Sequence, residues 1–123
     1  MAYLTDRKRA EGMGSAKTGT EHFWSMTKSS FGLLILTPLF VFTFAAALGG
    51  TYEEVIAYYS RPVPALIAAL FLVVSWMHFK GGVQTLIEDY VHGLARKVLI
   101  LSTTALSYAA AAAALYAILR IAL

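Results

Sequence analysis

The sequence predicts an all-α membrane protein in which three transmembrane helices form a bundle. Of the 123 residues, 59% are hydrophobic and only 14% are charged, an apolar share beyond that of an ordinary soluble domain. The apolar residues also form three blocks, each close to the roughly 20 residues that a helix needs to cross the hydrocarbon core. These blocks cover residues 31–48, 64–87 and 98–121.

The segment before the first block is polar and mixed in charge. We therefore expect residues 1–29 to form a cytoplasmic N-terminal segment and residues 30–123 to form the membrane anchor. Basic residues are concentrated in this segment and in the connection between the second and third blocks, at Arg7, Lys8, Arg9, Lys17, Lys28, Arg96 and Lys97. By the positive-inside rule, both segments should face the cytoplasm or an organelle matrix.

The connection between the first two blocks carries a helix-start signal. Thr51 and Glu54 have the spacing of a capping box, in which each side chain binds a backbone N–H of the other residue. We expect a short helix to begin there and to lie in the outer membrane interface. In the third block, the alanine run from Ala109 to Ala114 predicts a surface for close helix packing.

Composition excludes several kinds of chemistry. The chain has no cysteine, so it cannot by itself hold a disulfide, a thiolate zinc site or an iron–sulfur cluster. Its net charge of +3 comes from residues that fit a topology signal, and we predict no nucleic-acid partner. Membrane lipid is the expected surrounding.

His78 is the most informative residue, because it lies well inside the second apolar block. An ionisable group at this depth is costly, and it usually faces the interior of the bundle or a bound group. At 100° per residue, one stripe of the helix combines it with other polar or small residues: Ser75, Gly82, Thr85, Asp89 and His92. Together with Gly81, Gly82 should open space beside the backbone for a flat macrocycle. His78 could be an axial haem ligand, or it could simply hydrogen-bond a neighbouring helix.

Asp89 and Tyr90 lie about 16–18 Å along the helix axis from His78, at the expected cytoplasmic boundary. Each has an ordinary explanation, because tyrosines anchor helix ends and a carboxylate there can simply be solvated. A phenol beside a carboxylate can also donate a hydrogen bond to a quinone carbonyl and help to deliver protons. If His78 binds haem, the depth expected for His22 and His92 excludes them as the second ligand, which implies a partner subunit or a second copy.

The segment from His78 to Gly93 resembles the smaller membrane-anchor subunit of succinate dehydrogenase, respiratory complex II. It has a histidine, ten residues, Asp-Tyr, and then Val-His-Gly. A weaker likeness covers Gly19 to Trp24, and the third block is similar only in hydropathy. This resemblance implies a bacterial cytoplasmic (inner) membrane location, or the mitochondrial inner membrane in a eukaryote.

The resemblance also implies roles for residues. His78 would ligate the iron of haem b, with the other ligand on the larger cytochrome b anchor subunit. Tyr90 would hydrogen-bond ubiquinone, and Asp89 would line the same region. Lys28 stands where the family often has an arginine near the haem propionates, and lysine keeps the charge without the bidentate fork.

The family's reaction runs from a flavoprotein subunit through an iron–sulfur subunit to quinone, so this chain alone is not expected to be catalytic. Two other functional hypotheses remain open. A quinol:fumarate reductase anchor would run related chemistry in the opposite direction. A non-redox transporter or scaffold would use His78 and Asp89 as a proton or substrate path. We expect Lys80 to extend towards the cytoplasmic surface.

Overall fold

The computed structural model describes residues 3–14 and 19–123, and within them it has five α-helices. They are α1 (Asp6–Glu11), α2 (Gly19–Ala47), α3 (Tyr52–Tyr59), α4 (Pro62–Tyr90) and α5 (Gly93–Ala122). The helices α2, α4 and α5 are each long and apolar enough to cross a membrane. The predicted fold class, an all-α membrane protein with three such helices, is confirmed.

Each of the three long helices is longer than the apolar block that it contains or largely contains. They contain 29, 29 and 30 residues, which at about 1.5 Å per residue is longer than the hydrocarbon core is thick. The largest difference is at the start of α2, which begins at Gly19 and crosses residue 29, the predicted end of the N-terminal segment. The polar first turns of α2 are therefore continuous with its apolar part.

The short helix α3 begins at the predicted capping box. The Thr51 N–H donates to Glu54 Oε2 at 2.8 Å, and the Glu54 N–H donates to Thr51 Oγ1 at 3.4 Å. After α3 ends, the Ser60 hydroxyl donates to the Ile121 carbonyl near the end of α5, at 2.9 Å. This contact places the connection between α2 and α4 beside the C-terminus.

Helix α4 lies between the other two long helices. It packs against α2 on one side and α5 on the other, and no contact between α2 and α5 occurs among the described residues. Stacked rings of Phe40 and Phe71, with centroids 4.3 Å apart, join α2 to α4. The three helices therefore form a layer with α4 in the middle. We call the contact surfaces of α4 with α2 and with α5 the two seams, and every polar residue of α4 lies at one of them or on an open face of the layer.

The buried residues of the two C-terminal helices are mostly small. In α4 they include Ala65 and Ala68, and in α5 they are Ser107 and Ala111. The predicted alanine surface is thus confirmed in part, because Ala111 is buried while several neighbours in the run are exposed. Small side chains let the two backbones approach closely.

Candidate functional site

His78 faces the seam between α2 and α4. Its ring nitrogen Nδ1 lies 2.9 Å from the hydroxyl oxygen of Ser29 on α2. The imidazole is half-buried, and within the part of the chain that the structure describes, its other nitrogen, Nε2, has no hydrogen-bond partner. The predicted histidine therefore contacts a neighbouring helix through one nitrogen, and within the described residues the second nitrogen is free to accept or donate a further hydrogen bond.

Ser29 is a site residue that the sequence analysis missed. Its hydroxyl lies 2.9 Å from the Met26 carbonyl oxygen and 3.1 Å from that of Ser25, one turn earlier on α2. The spacing of His22, Ser25 and Ser29 is a helical pattern that could have revealed this polar face. It was overlooked because these residues precede the apolar block, in a segment that was not expected to pack against α4.

A second polar contact joins the same two helices nearer the end of α4. The Nε2 atom of His22 lies 3.2 Å from Thr85 Oγ1, and the Thr85 hydroxyl donates to the Gly81 carbonyl at 3.2 Å. Thr85 follows His78 by seven residues, about 10 Å along the helix axis. His22 therefore lies on the same seam as His78 but at a different depth, as expected.

The two adjacent glycines of α4 differ in what surrounds them. Gly81 is buried under Met26 of α2, and a Cβ atom added there would overlap with the Met26 sulfur. A Cβ atom on Gly82 would meet only Met26 Cε, at an ordinary 3.9 Å. The expectation that both glycines open space beside the backbone is therefore wrong for Gly81, because Met26 of α2 occupies that space. At Gly82 the space beside the backbone is open, as expected.

A small cavity of about 80 Å³ lies in this seam. Its walls combine polar and apolar groups of both helices: His22, Ser25, Met26, Ser29, Met77, Lys80, Gly81 and Gln84. It has room for a few water molecules at about 30 Å³ each, and it is far too small for a macrocycle. A flat cofactor beside His78 would have to lie on an open face of the helix layer, where a second protein could cover it.

Lys80 does not extend towards the predicted cytoplasmic surface. Its ammonium donates a hydrogen bond to the hydroxyl of Tyr108 on α5 at 3.2 Å, and it also lies 4.9 Å from the centre of that ring. This combination of a hydrogen bond and a cation–π contact gives the charge a partner on the exposed face between α4 and α5. The expectation that it extends to the surface is wrong, because α5 supplies a nearer polar partner.

Asp89 and Tyr90 are the last residues of α4, and both are exposed; Tyr90 keeps 79% of its surface. The structure does not bring them near His78, which lies about 16–18 Å away along the helix. Lys28 is also exposed, but it directly precedes Ser29 and so sits at the level of the contact with His78. The described residues contain no group of three or more His, Cys, Asp or Glu side chains that could hold a metal ion.

Comparison with known proteins gives matches to one family. The family model described as the succinate dehydrogenase/fumarate reductase transmembrane subunit matches residues 1–119. The succinate dehydrogenase hydrophobic membrane anchor subunit of Paracoccus denitrificans is 47% identical over 123 residues, which cover 100% of this chain and 95% of that protein. The subunit with the same name from Rickettsia bellii (strain RML369-C) is 29% identical over 84 residues, 68% of this chain and 66% of that protein. No solved structure matches the chain.

Proposed function

The chain belongs to the family of succinate dehydrogenase/fumarate reductase transmembrane subunits, and from this premise we propose that it supplies one axial histidine to haem b and part of a ubiquinone site. It is a hydrophobic membrane-anchor subunit of succinate dehydrogenase, and it functions with partner subunits. The partners that we propose are the flavoprotein subunit, the iron–sulfur subunit and the larger cytochrome b anchor subunit.

The observation that carries the haem proposal is the environment of His78. One ring nitrogen is engaged by Ser29 inside the membrane span, and the other is left for a ligand. Protein ligands of metals usually have such an outer partner, which holds the ring in place. The chain offers one histidine at this depth, so a second axial ligand would come from another chain, and the family resemblance implies the larger anchor subunit. When bound, haem supplies a one-electron redox centre within the membrane.

The open helix layer supports the same assignment. Because the cavity of about 80 Å³ between α2 and α4 cannot enclose a macrocycle, haem would lie between this chain and its partner anchor. Lys28 is exposed at the level of Ser29, and its ammonium is a suitable point charge for a haem propionate. We include Lys28 with His78 in the haem site on this basis.

The quinone proposal rests on the end of α4. Tyr90 and Asp89 are exposed at the end of α4, and the basic residues of the neighbouring segments support a cytoplasmic position for this end. The Tyr90 phenol would donate a hydrogen bond to a ubiquinone carbonyl, and Asp89 would help to supply protons. The site lies in the inner membrane at the surface where the iron–sulfur subunit delivers electrons. The names of both relatives favour succinate oxidation over fumarate reduction.

The experiment that tests the haem proposal compares His78→Ala with His92→Ala. His92 is an exposed histidine whose side chain makes no cap hydrogen bond at the start of α5, so it is a matched control. In the purified assembly, His78→Ala should lose the reduced-minus-oxidised b-type spectrum, and His92→Ala should keep it. Flavin content and the subunit bands show whether the complex still assembles. An unchanged spectrum in His78→Ala would refute the ligand assignment.

A further inference from the structure

The contact between Ser29 and His78 is more specific than a generic polar contact between two helices. A neutral imidazole carries one N–H, on either Nδ1 or Nε2, and only the nitrogen without hydrogen has a lone pair to offer a metal. Which nitrogen that is depends on the direction of the hydrogen bond between Ser29 Oγ and Nδ1. The surroundings of the Ser29 hydroxyl decide this direction.

The Ser29 hydroxyl has a single hydrogen and three neighbours within hydrogen-bond distance. Two are backbone carbonyl oxygens, of Met26 at 2.9 Å and of Ser25 at 3.1 Å, which can only accept. If the hydrogen pointed at His78, the lone pairs of Oγ would face two carbonyl oxygens at these short distances with no hydrogen between them. The hydroxyl therefore donates to the carbonyls, as serine commonly does in helices, and it accepts from Nδ1–H.

From this geometry we infer that Ser29 is the positioning residue of the haem ligand: it holds the hydrogen of His78 on Nδ1 and so leaves Nε2 as the ligating nitrogen. The inference rests on the proposed function of His78. Because Ser29 belongs to α2 and His78 to α4, the bond also fixes the orientation of the ring relative to a second helix. An accepting partner at Nδ1–H makes the imidazole a stronger donor to the metal.

Three variants in the assembled complex test this inference. Ser29→Ala removes the acceptor. Ser29→Thr keeps the hydroxyl and should rescue the effect. Ser30→Ala is the matched control, because the Ser30 hydroxyl donates to the same Met26 carbonyl at 2.9 Å but does not contact His78 among the described residues.

We expect Ser29→Ala to hold haem about 10–100-fold more weakly, the usual effect of losing an outer partner of a metal ligand. The haem that remains should have a higher midpoint potential, because a less basic imidazole stabilises ferric iron less. A tenfold change in the ratio of ferric to ferrous binding corresponds to about 59 mV for one electron. Ser29→Thr and Ser30→Ala should behave like the parent protein in both measurements.

The potential separates positioning from a structural role. A serine that only joined two helices would change the yield of the complex and not the potential of the haem that is retained. If Ser29→Ala holds too little haem to titrate, Ser29→Cys replaces it, since a thiol is a weaker acceptor and should give a smaller shift in the same direction. Equal potentials in the Ser29 and Ser30 variants would overturn the inference. If His78→Ala keeps its haem, the proposed function itself fails. If His78→Ala loses its haem but the Ser29 variants keep the haem affinity and midpoint potential of the parent protein, only the positioning role of Ser29 is refuted.

Discussion

The adjacent glycines of α4 allow a steric prediction in which most other effects cancel. Replacing a helical glycine by alanine gains about 1 kcal/mol of helix propensity, and this gain is similar at Gly81 and Gly82. Only the Cβ atom at Gly81 overlaps with a neighbour, the Met26 sulfur. Because the methionine side chain is flexible and can turn away, the cost should lie near the lower end of the usual overpacking range, about 1 kcal/mol. Gly81→Ala should therefore be less stable than Gly82→Ala by about 1 kcal/mol.

The assay is the heat stability of the detergent-solubilised assembly. Samples are heated, aggregates are removed, and the remaining monodisperse fraction is measured by size-exclusion chromatography. At roughly 2–8 °C per kcal/mol, the midpoint of Gly81→Ala should lie about 2–8 °C below that of Gly82→Ala. Gly82→Ala should equal or exceed the parent protein, because its Cβ atom would have ordinary contacts.

A double variant identifies the cause of the loss. Met26→Ala creates room at the point where Gly81→Ala needs it, so the two changes should be less destabilising together than the sum of their separate effects. Additive effects would show that the Met26 side chain is not the obstacle. Equal midpoints for Gly81→Ala and Gly82→Ala would refute the steric prediction and show that the Met26 side chain turns away from Gly81 without measurable cost.

Two further predictions concern tyrosines. Tyr90→Phe should slow quinone reduction while haem is retained, because it removes the proposed hydrogen bond. Tyr52→Phe is a matched control, since 78% of the Tyr52 surface is exposed against 79% for Tyr90. Equal rates of quinone reduction in the two variants would contradict the role of Tyr90. Burial, together with the neighbouring Tyr58, raises the pKa of Tyr59 in α3, so the stability that its protonated form provides should be lost as the pH rises above about 10. Tyr59→Phe should reduce this loss of stability at alkaline pH and leave the heat stability near neutral pH unchanged, because the buried hydroxyl has no hydrogen-bond partner among the described residues. A marked loss of heat stability at neutral pH would show that the hydroxyl does have a partner.

The features that were predictable from the sequence are those that depend on local patterns. The apolar blocks predicted three long helices because a helix in lipid must satisfy its own backbone groups and cover about 30 Å. The capping box of Thr51 and Glu54 was predictable because its two hydrogen bonds lie within four consecutive residues. His78 was recognisable because an ionisable group stands out within an apolar block.

The partners of these residues were not predictable in the same way. Ser29 is 49 residues from His78, and Lys80 is 28 residues from Tyr108. Each pair depends on which faces of α4 meet α2 and α5, and the hydrophobic pattern says little about this, because the outward faces of a membrane helix are as apolar as the packed ones. The same reason explains the wrong prediction at Gly81, where the space expected beside the glycine is occupied by the Met26 side chain.

The sequence by itself therefore determined the membrane class, the number of long helices and the residue at the centre of the candidate site. Whether a segment can lie in lipid depends on its composition and its length, and the sequence gives both directly. The tertiary structure decided that α4 lies between α2 and α5 and that Ser29 meets His78 Nδ1. These facts depend on close packing between surfaces far apart in the chain, where differences of one methyl group determine which helices can approach.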